Sequence, residues 1–146
     1  MSSPIFVTGH LASTVEISPE HLEMLNGHLA ENSLGEIATA VRNHDGTTSI
    51  NFAFGGPGHL YMNATNFAFG ENVARIVEIS QELNLGLSGE VLLCQIEGYG
   101  TLSAQKITAT GDGLVYLTRG SYSPVSKKPS FPSSAGELVK VRPKHY

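Results

Sequence analysis

The spacing of hydrophobic residues changes several times along the chain, and each change predicts a new element. Residues 5–17 mix β-branched and apolar side chains around one glycine, which is typical of an edge or bent strand. Ser18, Pro19 and Glu20 then supply a side-chain cap, a proline at the first helical position and an acid in the first turn. A helix is predicted from there, with leucines at helical spacing at Leu22, Leu25 and Leu29.

Two further stretches have helical spacing. Ser33 and Glu36 have the spacing of a capping box, so residues 33–42 predict a second short helix or an interrupted continuation of the first. Residues 71–85 carry the clearest helical pattern in the chain, and Gly86 stands where a left-handed C-cap is expected. The apolar stripe of this helix consists of Val73, Ile76, Val77 and Leu83.

From Thr47 the period becomes two, which predicts a strand. Its apolar side chains, Ile50, Phe52 and Phe54, are expected on a buried face, with Asn51 and Ala53 on the opposite one. GGPG at 55–58 then interrupts the chain before residues 59–62, so 47–64 reads as a β-hairpin. The pentapeptide NFAFG occurs at 51–55 and again at 66–70, where it runs into the predicted helix.

Three sequential antiparallel strands are predicted at 89–98, 101–110 and 114–118, with a turn at 111–113. Residues 120–146 hold four of the seven prolines and are predicted to form an extended tail, with a strand at 137–142 as the competing interpretation.

The order of these elements predicts an α+β fold, a mainly antiparallel sheet with two or three helices packed on one face. The length fits one domain, assigned to 1–119, followed by a basic tail at 120–146.

Charge divides the chain in the same place. Residues 1–118 hold twelve acidic and three basic side chains, whereas residues 119–146 hold six basic side chains and one acid. An acidic body disfavours phosphate backbones, so nucleic-acid binding is unlikely except through the tail. The chain has no apolar run of about 20 residues and no secretory signal at its start, and it has a single cysteine. These features predict a cytoplasmic protein without membrane contact.

Catalytic motifs are missing from the sequence. The six histidines have no metal-binding spacing, no nucleophile signature occurs, and Cys94 lies in an apolar run typical of an inert thiol. We therefore expect no metal and no cofactor, and we favour a binding protein over an enzyme. A hydrolase or transferase that uses His59 or His10 with Tyr61 and Arg119 is the catalytic alternative.

Glycine-framed loops with aromatic and polar side chains are the best candidates for binding. The predicted ligand-binding residues are Asn51, Gly56, Gly58, His59, Tyr61, Tyr99 and Arg119. Lys127 and Lys128 are predicted to contact a partner. The leading hypothesis is a non-enzymatic homo-oligomer that binds a small polar or nucleotide-like ligand or a protein. A structural or virion-associated assembly protein is the second alternative.

Four segments carry a resemblance to a known family. They are Val15–Pro19, ARIVEISQELN, SGEVLLCQIEG, and Ile107–Leu117 with its Gly-Asp-Gly turn. This pattern resembles a family of small uncharacterised proteins from actinobacteria and their bacteriophages. The resemblance implies a bacterial or phage accessory protein, located in the host cytoplasm if it is of phage origin. The family has no assigned activity, so no functional residue is carried over, and the NFAFG hairpin and the long tail depart from the family pattern.

Overall fold

The computed structural model describes residues 4–57, 68–97, 101–123, 128–132 and 136–141. In these residues the chain forms two helices and one sheet of eight strands. In chain order the elements are β1 (Pro4–Glu16), α1 (Pro19–Glu31), β2 (Ala38–Arg42), β3 (Thr47–Pro57), α2 (Phe69–Glu82), β4 (Ser88–Glu97), β5 (Thr101–Thr110), β6 (Val115–Ser123), β7 (Lys128–Ser130) and β8 (Glu137–Leu138). The predicted α+β class with a mainly antiparallel sheet is confirmed.

The sheet has the order β2, β3, β1, β4, β5, β6, β7, and every pairing is antiparallel. β8 pairs with β6 on the edge that β7 also uses. β1 lies at the centre of the main path, between β3 and β4. In this register Val7 stands opposite Phe54 on one side and opposite Leu93 on the other. Side chains that alternate along each strand therefore form continuous rows across the sheet.

One face of the sheet lies beneath both helices and holds the core. The strands contribute the buried side chains Ile5, Val7, Leu11, Ile50, Phe52, Val91, Leu93 and Ile107. The helices contribute Leu25, Leu29, Phe69, Val73, Ile76 and Val77. The Phe52 and Phe69 rings meet edge to face, with centroids 6.3 Å apart and planes at 86°. This geometry suits the charge distribution of two aromatic rings and fixes α2 over the sheet.

Both α1 and α2 were predicted from the sequence, and the predicted start of α1 is confirmed. The Ser18 hydroxyl accepts a hydrogen bond from the His21 backbone N–H at 3.1 Å, and Pro19 opens α1. α2 buries Val73, Ile76 and Val77 of the predicted stripe, whereas Leu83 is half-buried and follows the last helical residue, Glu82. Gly86 is left-handed, with φ of 61°, but Asn84 already takes a left-handed φ of 57° nearer the helix end. The predicted C-cap at Gly86 is therefore wrong in position. Neither described helix is long and apolar enough to cross a membrane.

The predicted second helix at 33–42 is wrong. Turns lead from Ser33 to Ile37, and β2 follows and pairs with β3. In β2 the buried side chains Ala38 and Ala40 alternate with the exposed Thr39, so the burial follows a period of two. Five residues offer too few positions to separate the two periods, and pairing with β3 decides between them.

The predicted strand at 47–54 exists, with the predicted faces. Ile50 and Phe52 are buried, whereas Asn51 and Ala53 are exposed. Its partners are β2, through a turn at 43–46, and β1. The predicted interruption at 55–58 is wrong in position, because β3 continues through Gly55 and Gly56 to Pro57 by pairing with β1. The other half of the predicted hairpin, 59–62, lies outside the described residues.

The C-terminal segment contains two short strands. β6 continues to Ser123, beyond the predicted strand end at 118, and both β7 and β8 pair with its outer edge. β8 lies within 137–142, where the sequence had allowed a strand as the competing interpretation.

Candidate functional site

The face of the sheet opposite the helices has a different character from the core face. We call it the open face and define it by the outward side chains of β1, β3 and β4, which are Phe6, Thr8, His10, Asn51, Ala53, Glu90, Leu92 and Cys94. The first six are exposed, Leu92 is half-buried and Cys94 is buried. Neither helix in the described part of the chain covers this face.

Phe6 is the exposed aromatic side chain of the open face. Its side chain is 49% exposed, although its neighbours in β1, Ile5 and Val7, are buried. Gly55 lies opposite it on β3 and Cys94 on β4. A Cβ atom at Gly55 would lie 3.4 Å from the Phe6 ring, so the ring rests against a bare backbone. Small residues on both sides leave the ring prominent.

A polar row crosses the open face four residues farther along β1 than Phe6, with Thr8, Ala53 and Leu92 in the row between them. His10 stands between Asn51 on β3 and Glu90 on β4, and the row continues through Thr108 on β5 to Tyr116 on β6. Directly opposed side chains of an antiparallel pair lie about 4.5–5.5 Å apart at Cβ. The row therefore offers closely spaced donors and acceptors that suit polar contacts.

Cys94 lies on the open face but is not an accessible nucleophile. Its side chain is buried, and burial raises the pKa of the thiol. A raised pKa lowers the thiolate fraction, and the thiolate is the reactive form. This agrees with the inert role that its apolar neighbours suggested.

The structure separates several of the residues that the sequence grouped into one site. Asn51 is exposed on the open face, whereas Arg119 is exposed on β6 and shares the helix-side face with Leu117 and Gln105. β3 and β6 are four strand spacings apart in the sheet, or roughly 19 Å. One small ligand cannot contact both side chains. In the catalytic alternative, His10 and Arg119 are three strand spacings apart, or roughly 14 Å, and lie on opposite faces of the sheet.

Other candidates have varied positions. Gly56 lies near the end of β3, and Lys128 is exposed at the start of β7. The predicted site residues Gly58, His59, Tyr61, Tyr99 and Lys127 lie outside the described residues.

The strand topology does bring several of these segments to one end of the sheet. Pro4 at the start of β1 pairs with Pro57 at the end of β3, and Glu97 pairs with Thr101. Pro57 and Glu97, the last described residues before the next two gaps, therefore lie at the same end of the sheet. Gly56 lies at this end, and Asn51 lies five residues farther along β3.

A shallow depression at the turn between β2 and β3 is lined by Arg42, Asn43 and His44. The polar groups of this turn are engaged within the turn itself. The Asn43 amide donates to the Thr47 and Ser49 hydroxyls at 3.1 and 3.0 Å, and Asp45 accepts from the Thr47 hydroxyl at 2.6 Å. The hydrogen bonds from Thr47 hold the pKa of Asp45 below its usual value. These hydrogen bonds stabilise the turn, so its polar side chains do not by themselves indicate a binding site.

Within the described ranges, no three His, Cys, Asp or Glu side chains lie close enough to hold a metal ion. No protein-family model matches the chain, and comparisons with curated proteins and with solved structures find no match either. The resemblance noted in the sequence therefore remains a prediction.

Sequence reasoning overlooked Phe6. The signal was present, because residues 5–11 alternate and place Ile5, Val7 and Leu11 on one face. A period-two interpretation of β1 leaves Phe6 as a large apolar side chain on the other face.

Proposed function

We propose that this protein is a non-enzymatic binding protein that holds a protein partner on the open face, with a second copy of the chain as the first candidate. The observation that carries the proposal is that the half-exposed Phe6 ring shares the open face with the polar row of Asn51, His10 and Glu90. An aromatic anchor and polar side chains on one surface are the composition found at the centres and rims of protein interfaces. A flat face suits a protein surface better than a small molecule, since small molecules bind in concave pockets.

The two edges of the sheet favour a partner that binds the open face over one that adds a strand to an edge. On β2, the Asn26 side chain accepts from the Ala40 N–H at 2.9 Å and donates to the Ala40 carbonyl at 3.0 Å. The Ala38 N–H donates to the Leu34 carbonyl at 2.9 Å. On β6, the outer edge is paired with β7 and β8. Strand addition needs unpaired backbone groups, and these edges use theirs within the chain.

The described side chains also favour binding over catalysis. His10 has Asn51 and Glu90 as neighbours, but the nearest thiol, Cys94, is buried and its pKa is raised. An activated nucleophile needs a lowered pKa or an adjacent base. The resemblance seen in the sequence adds an accessory role in a bacterium or bacteriophage to this proposal.

A matched pair of variants tests the proposal. Phe6 and Met24 are equally exposed, at 49% and 50%, but Met24 lies on α1, on the other side of the molecule. Light scattering after size-exclusion chromatography should show an oligomer for the wild type and for Met24→Asp, and a monomer for Phe6→Asp. Retention of the oligomer by Phe6→Asp, with its loss in Met24→Asp, would place the interface on the helix side.

A small polar or nucleotide-like ligand is the second candidate. The observation in its favour is that Pro57 and Glu97, which precede the predicted site residues His59, Tyr61 and Tyr99, lie at one end of the sheet with Gly56. Thermal-shift screening against nucleotides tests it, because a ligand at 100 times its Kd stabilises by about 2.7 kcal/mol. His59→Ala with Tyr61→Ala should remove any such shift while the melting temperature without ligand stays near the wild-type value.

A further inference from the structure

The outer edge of β6 is closed by a segment of the same chain. We call the described residues 128–132 and 136–141 the strap. In its first half Ser130 pairs with Ser121, and in its second half Leu138 pairs with Tyr116. The Val139 N–H donates to the Val115 carbonyl at 2.8 Å, which extends the second contact. Backbone pairing with β6 thus holds the strap, and its Val139 and Val141 side chains also pack against the core.

One aromatic side chain, Phe131, anchors the strap over Gly120 of β6. We call the space above this glycine, where the sheet has no side chain, the slot. The Phe131 ring lies on the open-face side, with the Lys106 Nζ 5.0 Å from its centroid. A Cβ atom at Gly120 would lie 2.2 Å from the Ser130 carbonyl oxygen and 2.6 Å from the Phe131 ring. Glycine is therefore needed at position 120 because the strap approaches so closely. The buried Ala104 stands opposite Gly120 in the register, and the buried Cys94 stands opposite Ala104 on the next strand, so small side chains continue the slot.

The strap is weakly held compared with the core. β7 has three residues and β8 has two. Lys128, Ser130, Glu137 and Leu138 are exposed, and Phe131, Val139 and Val141 are half-buried. Segments with few buried contacts open locally at a lower free energy than global unfolding. The β6 edge and its slot can therefore become accessible while the core stays folded.

We infer that the β6 edge with the slot at Gly120 is a strand-docking site, and that its partner is the strap of a second copy of this chain. The segment known to fit this site is the strap itself, so the same residues from another copy would make the same contacts. Backbone pairing would supply affinity, and the aromatic in the slot would supply specificity. Exchange of identical segments is an accessible route to an oligomer. The site adjoins the open-face interface proposed above, because Cys94 lies between Phe6 and Ala104 in the register.

Two full-length variants separate the two roles of the chain, which are to donate a strap and to accept one. Phe131→Ala removes the anchor but leaves the acceptor edge intact. Gly120→Ala displaces the strap by filling the slot, which also destroys the acceptor. Both variants should speed hydrogen exchange at residues 115–121 relative to the wild type. Both chains also carry Phe6→Asp, so that association through the open face does not contribute.

Mixing the two variants tests the exchange directly. Phe131→Ala offers an acceptor without a good strap, and Gly120→Ala offers a good strap without an acceptor. An equimolar mixture should therefore form a heterodimer of about twice the monomer mass, whereas each variant alone should not. A mixture whose mass equals that of the separate chains would overturn the inference.

A peptide assay covers the case in which Gly120→Ala fails to fold. A fluorescent peptide of residues 126–142 is titrated into full-length wild type and into Phe131→Ala. Because the internal strap competes only in the wild type, Phe131→Ala should bind the peptide about tenfold more tightly or better. A peptide that lacks the aromatic, Phe131→Ala within the peptide itself, should bind neither. Equal affinity for the two proteins, or binding of the peptide without the aromatic, would show that the strap and slot are not a docking site.

Discussion

The two faces of the sheet are made by the same strands, yet they differ in almost every physical property. Phe52 and Asn51 are adjacent in β3, and Phe52 is buried against Phe69 whereas Asn51 is exposed beside His10. In β1, the buried Ile5 and Val7 flank the exposed Phe6 in the same way. The parity of a residue decides its face, and the helices decide which face becomes the core. The comparison separates residues that hold the fold from residues that are available for contact.

Replacing two neighbouring residues of β3 with alanine should produce the largest difference in unfolding free energy between the two faces. Phe52→Ala removes a buried ring and its edge contact with Phe69, so we expect a loss of about 3–5 kcal/mol in unfolding free energy. Asn51→Ala, the matched control on the open face, should change it by less than about 0.5 kcal/mol. Urea unfolding followed by circular dichroism measures both. Similar losses for the two variants would mean that the open face is not solvent-exposed in solution.

The attachment of α1 to the edge of β2 should give the next largest effect. Asn26→Ala removes both hydrogen bonds to the Ala40 backbone and leaves a buried residue with unpaired N–H and carbonyl groups. We expect a loss of about 1–3 kcal/mol in urea unfolding. Asn26→Asp keeps an acceptor for the N–H and should lose less. If Asn26→Ala is as stable as wild type, α1 is held by Leu25 and Leu29 alone.

The solvent side of α1 offers a stabilising substitution. Gly27 is exposed in mid-helix, and a Cβ there would have no heavy atom within 4 Å. Gly27→Ala should therefore raise the unfolding free energy by about 0.5–1 kcal/mol, because alanine has less freedom to lose in a helix. Gly35→Ala is the control, since its Cβ would lie 3.1 Å from the Ala30 Cα and should bring no such gain. Thermal melting of the two variants distinguishes them.

The turns that join the strands should show the smallest effect, and it depends on pH. Hydrogen bonds from Thr47 and Thr110 hold the pKa values of Asp45 and Asp112 below their usual value. A lowered folded-state pKa stabilises the fold at pH values above the unfolded pKa of about 3.9, and this contribution is lost as the pH falls through the folded pKa. Asp112→Asn should therefore unfold closer to the wild type at pH 2 than at pH 7. A difference that grows on acidification would contradict the assignment.

Much of the fold could be predicted from local signals. Ser18 and Pro19 start α1 because a cap and a fixed φ act within one turn. The alternation around Phe52 predicted both the strand and its buried face. The longest periodic stretch, which became α2, was predicted best. The failures came at 33–42, where a short stretch fitted two periods, and at the end of α2, where Asn84 takes the left-handed position before Gly86.

The candidate site was less accessible to sequence reasoning, because distant segments form it. Nothing local indicates that Asn51, His10 and Glu90 form one row, since that row depends on the order β3, β1, β4 in the sheet. The same order separates Asn51 from Arg119, which the sequence had placed together.

The sequence by itself determined the periods, the caps and the turns, and therefore the class of the fold, because each of these depends on interactions between residues only a few positions apart. Only the tertiary structure decided the pairing of distant strands, the side of the sheet that the helices cover, and the return of the strap to β6. Those outcomes depend on which surfaces bury each other, and burial is a property of the whole chain.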